Sequence, residues 1–443
     1  MQKDKIIVGL DIGSTKVCAI VARKDLNDPN LIEILGVGKT VSEGVTRGVV
    51  INIDKTVEAI NKAVREASQM SGIDIRIVNV GIAGQHIKSV KEKGSITRHS
   101  VEDEISSEDV VRLVNDMYKI PTEAGTQILH VMPQDFTVDS ETGITEPIGM
   151  SGVKLEANFH IITAQTTALN NVNRCVKKSG LEVQEMILEP IASSLAVLTK
   201  EERGEGVVLV DIGGGTTDIA IFYDGILRHS AVIPFGGQII TSDIKMGCRI
   251  IEHQAELLKV TYGKAIAELA KEDEYLSIPG NKNRQDREIS VRNLAHIIEA
   301  RMTEIVEDVH KEILRSGFYN TLSQGIVLTG GGSLLSGIKE LFEYHTGLPV
   351  RIGHPTEYLT KKNIDLVKKP IFATAIGLVM AGFRAIDDRN LFDKTQNKVS
   401  VSAPEQKTAK ESKKDNLFSG FFNKLLERTK SLLIDDVDDK NDY

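Results

Sequence analysis

The run Val207-Val208-Leu209-Val210-Asp211-Ile212-Gly213-Gly214-Gly215-Thr216-Thr217-Asp218 reads as a buried apolar strand that ends in an aspartate and three glycines. Ile219-Ala220-Ile221-Phe222 continue as a returning strand, and Asp224-Gly225 marks a two-residue hairpin turn after it. Consecutive glycines let the backbone come close to a ligand and turn in ways closed to other residues, so their N–H groups can converge on anionic oxygens. Thr216 and Thr217 add hydroxyl donors. Asp211 is ill suited to touching a phosphate itself, because like charges repel. Its natural partner is a divalent cation held through water, and Mg2+ matches such hard oxygen ligands. A glycine-rich hairpin without a ligand is the alternative that this stretch alone leaves open.

The same unit occurs at the start of the chain. Ile6-Ile7-Val8-Gly9-Leu10 is an apolar strand, Asp11-Ile12-Gly13-Ser14-Thr15-Lys16 a turn of aspartate, glycine and hydroxyls, and Val17 to Val21 returns. Asp11 and Asp211 stand 200 residues apart at the same place in the same strand–turn–strand pattern. A duplicated fold with two phosphate loops facing each other explains this, and Lys16 supplies the positive charge the second loop lacks. A third strand, Ile326-Val327-Leu328-Thr329, ends in Gly330-Gly331-Gly332-Ser333, and Leu334, Leu335, Ile338, Leu341 and Phe342 follow at helical spacing. Close backbone approach and a helix N-terminus there suit the adenosine and phosphate side of a nucleotide.

Two such phosphate turns followed by a Thr-Gly-Gly-Gly-Ser turn resemble the actin, heat-shock chaperone and sugar kinase superfamily. Within it the chain is similar to the FtsA family of actin-like division proteins, from roughly Lys5 to Phe383. Leu129-His130-Val131-Met132-Pro133-Gln134, Pro147-Ile148-Gly149-Met150-Ser151-Gly152-Val153 and Arg351-Ile352-Gly353-His354-Pro355 carry the resemblance beyond the nucleotide loops. It implies an α/β fold of two actin-like (ribonuclease H-like) domains with inserted subdomains, ATP and Mg2+ in the cleft between them, and a C-terminal amphipathic helix. Asp11 and Asp211 fall at the metal. Gly13, Ser14, Thr15 and Lys16, then Gly213, Gly214, Gly215, Thr216 and Thr217, then Gly237, and then Gly330, Gly331, Gly332 and Ser333 fall at the nucleotide.

Two further assignments stay open in the residues themselves. Glu189, in Leu188-Glu189-Pro190, resembles a glutamate that positions the attacking water in MreB-type relatives, but a glutamate before proline can equally be a surface turn or a helix start. Glu256 and Lys259, three apart on one helical face, resemble the pair that brackets adenosine in actin-like proteins, or form a solvated ion pair worth a few tenths of a kcal/mol. The resemblance implies at most a slow ATPase. A small-molecule kinase would need an aspartate base beside an acceptor pocket, for which no motif is found, and a PilM-like assembly scaffold shares the fold without needing an amphipathic tail.

A length of 443 residues calls for more than one core. Alternating strand and helix patterns (Leu31 to Gly38; Val57, Ile60, Val64 and Ala67; Ile75 to Gly81) belong to an α/β domain. By pattern and resemblance the chain divides into 1–84 and 164–203 (subdomain IA), 85–163 (an inserted subdomain, 1C), 204–235 and 323–365 (IIA), 236–322 (IIB) and 366–386 (a helix returning to IA). The resemblance places the C-terminal peptide of FtsZ on IIB, self-association into filaments on the domain faces, and later division proteins as further partners. A net charge of −8, from 54 basic and 62 acidic residues, disfavours nucleic acid as a partner. Cys18, Cys175 and Cys248 make no disulfide framework, the ten histidines show no zinc spacing, the N-terminus shows no signal-peptide apolar core, and no apolar run of transmembrane length is expected.

Residues 387–415 are polar and read as a flexible linker, spanning about 30 Å as a coil. Beyond it, Leu417, Phe418, Phe421, Phe422, Leu425, Leu426, Leu432 and Leu433 fall within one half of a helical wheel over 416–434, with Lys424, Glu427 and Lys430 opposite. Such a segment fits insertion at a membrane interface, which the resemblance implies is inner-membrane lipid on the cytoplasmic side, while packing on the protein's own body or on a partner is the alternative. Lys407, Lys410, Lys413 and Lys414 add attraction to anionic lipid; the acidic end, 435–443, opposes it.

Overall fold

The computed structural model describes residues 5–98, 104–278 and 286–399. The described residues fall into two compact units, 5–88 with 165–380, and 89–164 with 381–399.

The first unit contains two five-stranded sheets of one topology. In the first the order is Glu182–Leu188, Ile77–Ile82, Ile6–Ile12, Lys16–Lys24, Ile32–Val41. Ile6–Ile12 runs antiparallel to the next strand in sequence and parallel to Ile77–Ile82. In the second the order is Val350–Ile352, Ile326–Thr329, Val207–Ile212, Thr217–Tyr223, Ile226–Ile233, with the same senses. Each sheet is therefore a three-strand meander extended by two parallel strands. All six residues of Val207–Ile212 are buried, as expected of a central strand covered on both faces. The Asp224-Gly225 turn has positive φ at both residues, 55° and 72°, the conformation that a right-twisted two-residue hairpin requires.

Helix Ile53–Ser71 covers the first sheet, capped by the Asn52 side chain and ended by Gly72 in the left-handed region. Its buried face is Thr56, Ala59, Ile60, Ala63 and Ala67, rotated from the expected Val57, Ile60, Val64, Ala67 line. The cause lies on the strand beneath. A side chain at Gly36 or Gly38 would overlap the carbonyls of Ala67 and Ala63, so the helix approaches through alanines and the two valines move to the flank.

Helix Glu189–Val197 is buried from Pro190 to Val197 and crosses the helix Ala373–Val399 so closely that a side chain at Gly377 would overlap the Ala192 carbonyl. The segment Pro370–Asp387 is apolar and long enough to cross a membrane, contrary to the expectation of no such run, yet two-thirds of it is buried in the protein, as befits a core helix. This helix also continues to Val399, into the stretch expected to be a flexible linker. Adding residues to a formed helix is far easier than starting one, and 388–399 contain no glycine or proline to stop it.

At the third glycine turn, only a three-residue 3-10 turn, Gly332–Leu334, follows the glycines, and the nine-residue helix Ile338–Thr346 starts later. The expected helix N-terminus is thus not at the turn. Ser336 is drawn into an extended bridge with Lys264, its carbonyl accepting from the Ala265 N–H at 2.7 Å, which interrupts the helical path. Helix Val291–Ser316 lines the core of this half through Leu294, Ile298, Met302, Ile305 and Val309.

In the second unit the sheet order is Ile87–Thr97, Lys154–Gln165, Thr126–Val138, Glu141–Ile144. Helix Ser107–Met117, started by a reciprocal cap between Ser106 and Asp109, packs Leu113 and Val114 into a core with Phe136 and Phe159.

Candidate functional site

The two aspartate–glycine turns are built alike. Gly13 N–H donates to the Lys16 carbonyl and Gly213 N–H to the Thr216 carbonyl, both at 2.9 Å. Both turns abut one cavity of about 850 Å³ within the first unit, closed on a third side by Gly330, Gly331 and Gly332. The turns meet each other directly. A side chain at Gly214 would overlap the Thr15 methyl, and one at Gly215 would lie 2.5 Å from Ser14 Oγ and 2.9 Å from the Arg47 backbone. Glycine is needed here because the opposite loop occupies the space.

Of the residues expected at the site, Asp11, Gly13, Ser14, Thr15, Lys16, Glu189, Asp211, Gly213, Gly214, Gly215, Thr216, Gly237, Glu256, Lys259, Gly330, Gly331 and Gly332 line this cavity. Thr217 and Ser333 do not: the Thr217 hydroxyl donates to the Phe235 carbonyl at 2.9 Å, and Ser333 Oγ donates to the Gly330 carbonyl at 2.8 Å, which holds the third turn in shape. Leu417, Phe418, Phe421, Phe422, Leu425, Leu426, Leu432 and Leu433 lie outside the described residues.

Glu256 and Lys259 form an ion pair at 2.7 Å and belong to a larger network. Lys259 Nζ donates to the Gly237 carbonyl at 2.8 Å and to Thr241 Oγ1 at 2.7 Å, while that hydroxyl donates to Glu256 at 2.5 Å. The pair thereby fixes the first turn of helix Gly237–Cys248 at the cavity wall.

Besides Glu256, four carboxylates, Asp11, Glu189, Asp211 and Asp218, line the cavity, as does Lys16. Lys16 pairs directly with Asp11. Burial alone would lower the pKa of Lys16, but the charge of Asp11, with lesser help from Cys18 and Glu189, holds its ammonium well above the usual lysine range. Burial, then the charges of Asp11, Asp218 and Asp211, push Glu189 well above the ordinary carboxylate range. Burial also raises Asp211, against a stabilising hydrogen bond from Ser193. Asp218 is pushed up to about 7 by burial and by Asp211, and its Oδ1 is buried without a hydrogen-bond partner among the described residues.

A polyphosphate entering such a site meets repulsion unless a cation enters with it. Among the described residues no three His, Cys, Asp or Glu side chains converge to hold an ion by themselves. This donor set fits Mg2+, which keeps waters and takes one or two carboxylates together with phosphate oxygens. Asp11 and Asp211 would hold it through water.

Asp218, Lys39, Lys369 and Thr374 also line the cavity and were not among the expected site residues. Asp218 had a legible signal: counting back along the hairpin makes it the cross-strand partner of Asp211. The other three are brought in by long-range packing, which leaves no local pattern.

The family model "Cell division protein FtsA" matches residues 208–377, and "SHS2 domain inserted in FTSA" matches residues 84–163. The chain is 42% identical over 389 residues to the cell division protein FtsA of Pseudomonas aeruginosa, covering 88% of this chain and 92% of that one. With that of Escherichia coli K12 it shares 35% over 387 residues, 85% and 90% of the two chains. With that of Bacillus subtilis it shares 36% over 384 residues, 87% and 85%. Among solved structures the fold is similar to the PilM-PilN type IV pilus biogenesis complex, with TM-score 0.61 at 17% identity over 85% of this chain and 98% of that one. It is also similar to MreB5 of Spiroplasma citri bound to ADP, with TM-score 0.51 at 15% identity over 90% and 99%. The structures establish an actin-like fold, and the sequence relationships go further: the chain belongs to the FtsA family of cell division proteins.

Proposed function

We propose that this protein is a nucleotide-dependent membrane adaptor of cell division. Mg-ATP binds between the two glycine turns and biases closure of the two halves on each other. Subunits assemble into filaments, residues 236–322 take the C-terminal peptide of FtsZ, and the tail 416–434 attaches the assembly to the inner membrane, where later division proteins are recruited. The observation that carries the nucleotide part is the meeting of two equivalent turns, Gly13–Lys16 and Gly213–Thr216, across a cavity lined by Lys16 and five carboxylates. Asp11 and Asp211 act toward the cation, the turn N–H groups and Lys16 toward phosphate, and the Glu256–Lys259 network toward the nucleoside. Glu189, raised in pKa and reaching the cavity, is placed to orient water in a slow hydrolysis. The membrane and FtsZ parts rest on family membership and on the amphipathic pattern of the tail.

The decisive experiment is co-sedimentation with anionic liposomes, with and without Mg-ATP, comparing the full chain with one ending at Asp415. Pelleting of the full chain alone supports the adaptor, and recruitment of FtsZ to those liposomes is then measured. Equal pelleting of both forms returns the protein to an assembly scaffold of the PilM kind.

A further inference from the structure

Among the described residues, the Asp211 carboxylate is hydrogen-bonded from one side only. Its Oδ2 accepts a hydrogen bond from Ser193 Oγ at 2.8 Å, and Ser193 Oγ in turn lies 3.1 Å from Thr374 Oγ1. A hydroxyl has one proton to give. With Ser193 donating to Asp211, Thr374 donates to Ser193, and its own approach to Asp211 at 3.4 Å is a weaker second contact. The result is a directed chain, Thr374 to Ser193 to Asp211, in which each bond polarises the next. All three residues are buried.

They come from three separate parts of the fold. Asp211 ends the central strand of the second sheet, Ser193 lies on helix Glu189–Val197, and Thr374 opens helix Ala373–Val399. Ser193 stands four residues after Glu189, one helical turn on and on the same face. Oδ1 of Asp211 is the oxygen packed against Gly330, where any side chain would overlap it. The hydroxyl chain occupies one carboxylate oxygen and, with Oδ1 set against Gly330, fixes the plane of the group at the cavity wall.

We infer that Ser193 and Thr374 are positioning residues for the divalent cation, orienting Asp211 so that nucleotide binding becomes dependent on the metal. This deepens the nucleotide-binding reading above and rests on it. Hydrogen-bond partners that orient a metal-directed carboxylate cost about 10- to 100-fold in metal affinity when removed. Ser193 does not line the cavity, so its loss acts on the metal-dependent part of binding and not on the nucleotide as such.

The test is a fluorescent ATP analogue titrated onto the full-length protein in EDTA and across a Mg2+ series, for wild type, Ser193→Ala, Thr374→Val and Thr374→Ser. Ser193→Ala and Thr374→Val are expected to raise the Mg2+ concentration at half-saturation about tenfold, and Ser193→Ala, at a position that does not line the cavity, to keep its affinity in EDTA within about twofold of wild type. Thr374→Ser, which keeps the hydroxyl and loses only a methyl, is expected to rescue the wild-type half-saturation. Thermal unfolding of each variant separates misfolding from altered binding, and the Val/Ser comparison at 374 decides the matter if Ser193→Ala proves unstable. Variants that weaken the analogue equally in EDTA and Mg2+, or that keep the wild-type Mg2+ dependence, overturn this inference alone. A wild-type protein that binds the analogue without regard to Mg2+ likewise overturns this inference alone, whereas one that does not bind the analogue at all overturns the nucleotide reading and this inference with it.

Discussion

Asp218 is the cross-strand partner of Asp211, and Cys18 is the cross-strand partner of Asp11, at the same step of two hairpins that otherwise share one register. The first turn thus backs its aspartate with a small buried thiol, pushed up to about 12 chiefly by burial, and the second with another carboxylate. The duplicated site is chemically lopsided, with its excess negative charge in the second half.

That excess has a pH signature. The Asp218 pKa rises from 3.8 unfolded to about 7 folded. Between these values the folded state binds more protons than the unfolded one, so unfolding free energy falls as pH rises through the window and levels off above it. Asp218→Asn should flatten part of this slope and stabilise the ligand-free protein at pH 8 by about 2 kcal/mol. Thermal melts in chelator from pH 5 to pH 8 check it; an unchanged slope would assign the burden to Glu189 and Asp211.

Gly215→Ala should weaken Mg-ATP binding by about 10- to 100-fold, because its methyl group would press on Ser14 Oγ and the Arg47 backbone and overpacking costs about 1–3 kcal/mol. Gly204→Ala is the matched control. Nothing lies within 4 Å of that position, and alanine should add about 0.5–1 kcal/mol of helix stability without touching affinity. Equal affinities for the two variants would mean that the turns do not meet around the ligand.

Glu189→Gln keeps the shape of the side chain and removes its ability to take a proton. If Glu189 orients the attacking water, single-turnover hydrolysis should slow by about 100-fold while ATP affinity holds. Hydrolysis at the wild-type rate would leave Glu189 as a helix-start residue only.

Arg351 gives a structural prediction. Its guanidinium grips both Glu202 oxygens at 2.6 Å and the Val197 carbonyl at 2.8 Å, and Glu202 also completes the cap on helix Lys200–Glu205. Arg351→Lys loses the two-pronged fit and should cost about 1 kcal/mol by denaturant unfolding, solvent screening included. Nucleotide binding should not change.

Much of the site was legible in the sequence because glycine and strand patterns are local. Asp11, Asp211 and three glycine turns announce themselves within a few residues each, and the 200-residue spacing of the aspartates exposes the duplication. What escaped depends on distant partners. Ser193 sits in an apolar helix as an ordinary small residue until Asp211 is folded against it, 18 positions away in sequence, and Thr374 joins from 163 positions beyond Asp211. The face of helix Ile53–Ser71 was misjudged for the same reason, since Gly36 and Gly38 on another element decide which residues fit.

The packing of the return helix bears on the order in which the protein is made. Gly9, in the first strand, is covered by Ala375, Leu378 and Val379. A ribosome adding about 5–20 residues per second needs roughly 20 to 70 s to travel from one to the other. Through that interval the first sheet must wait with one face uncovered while the second half is synthesised. The nascent chain therefore depends on helix Ala373–Val399 to complete its first domain, and the emergence of that helix, not synthesis of the N-terminal half, is the moment at which the first sheet is covered.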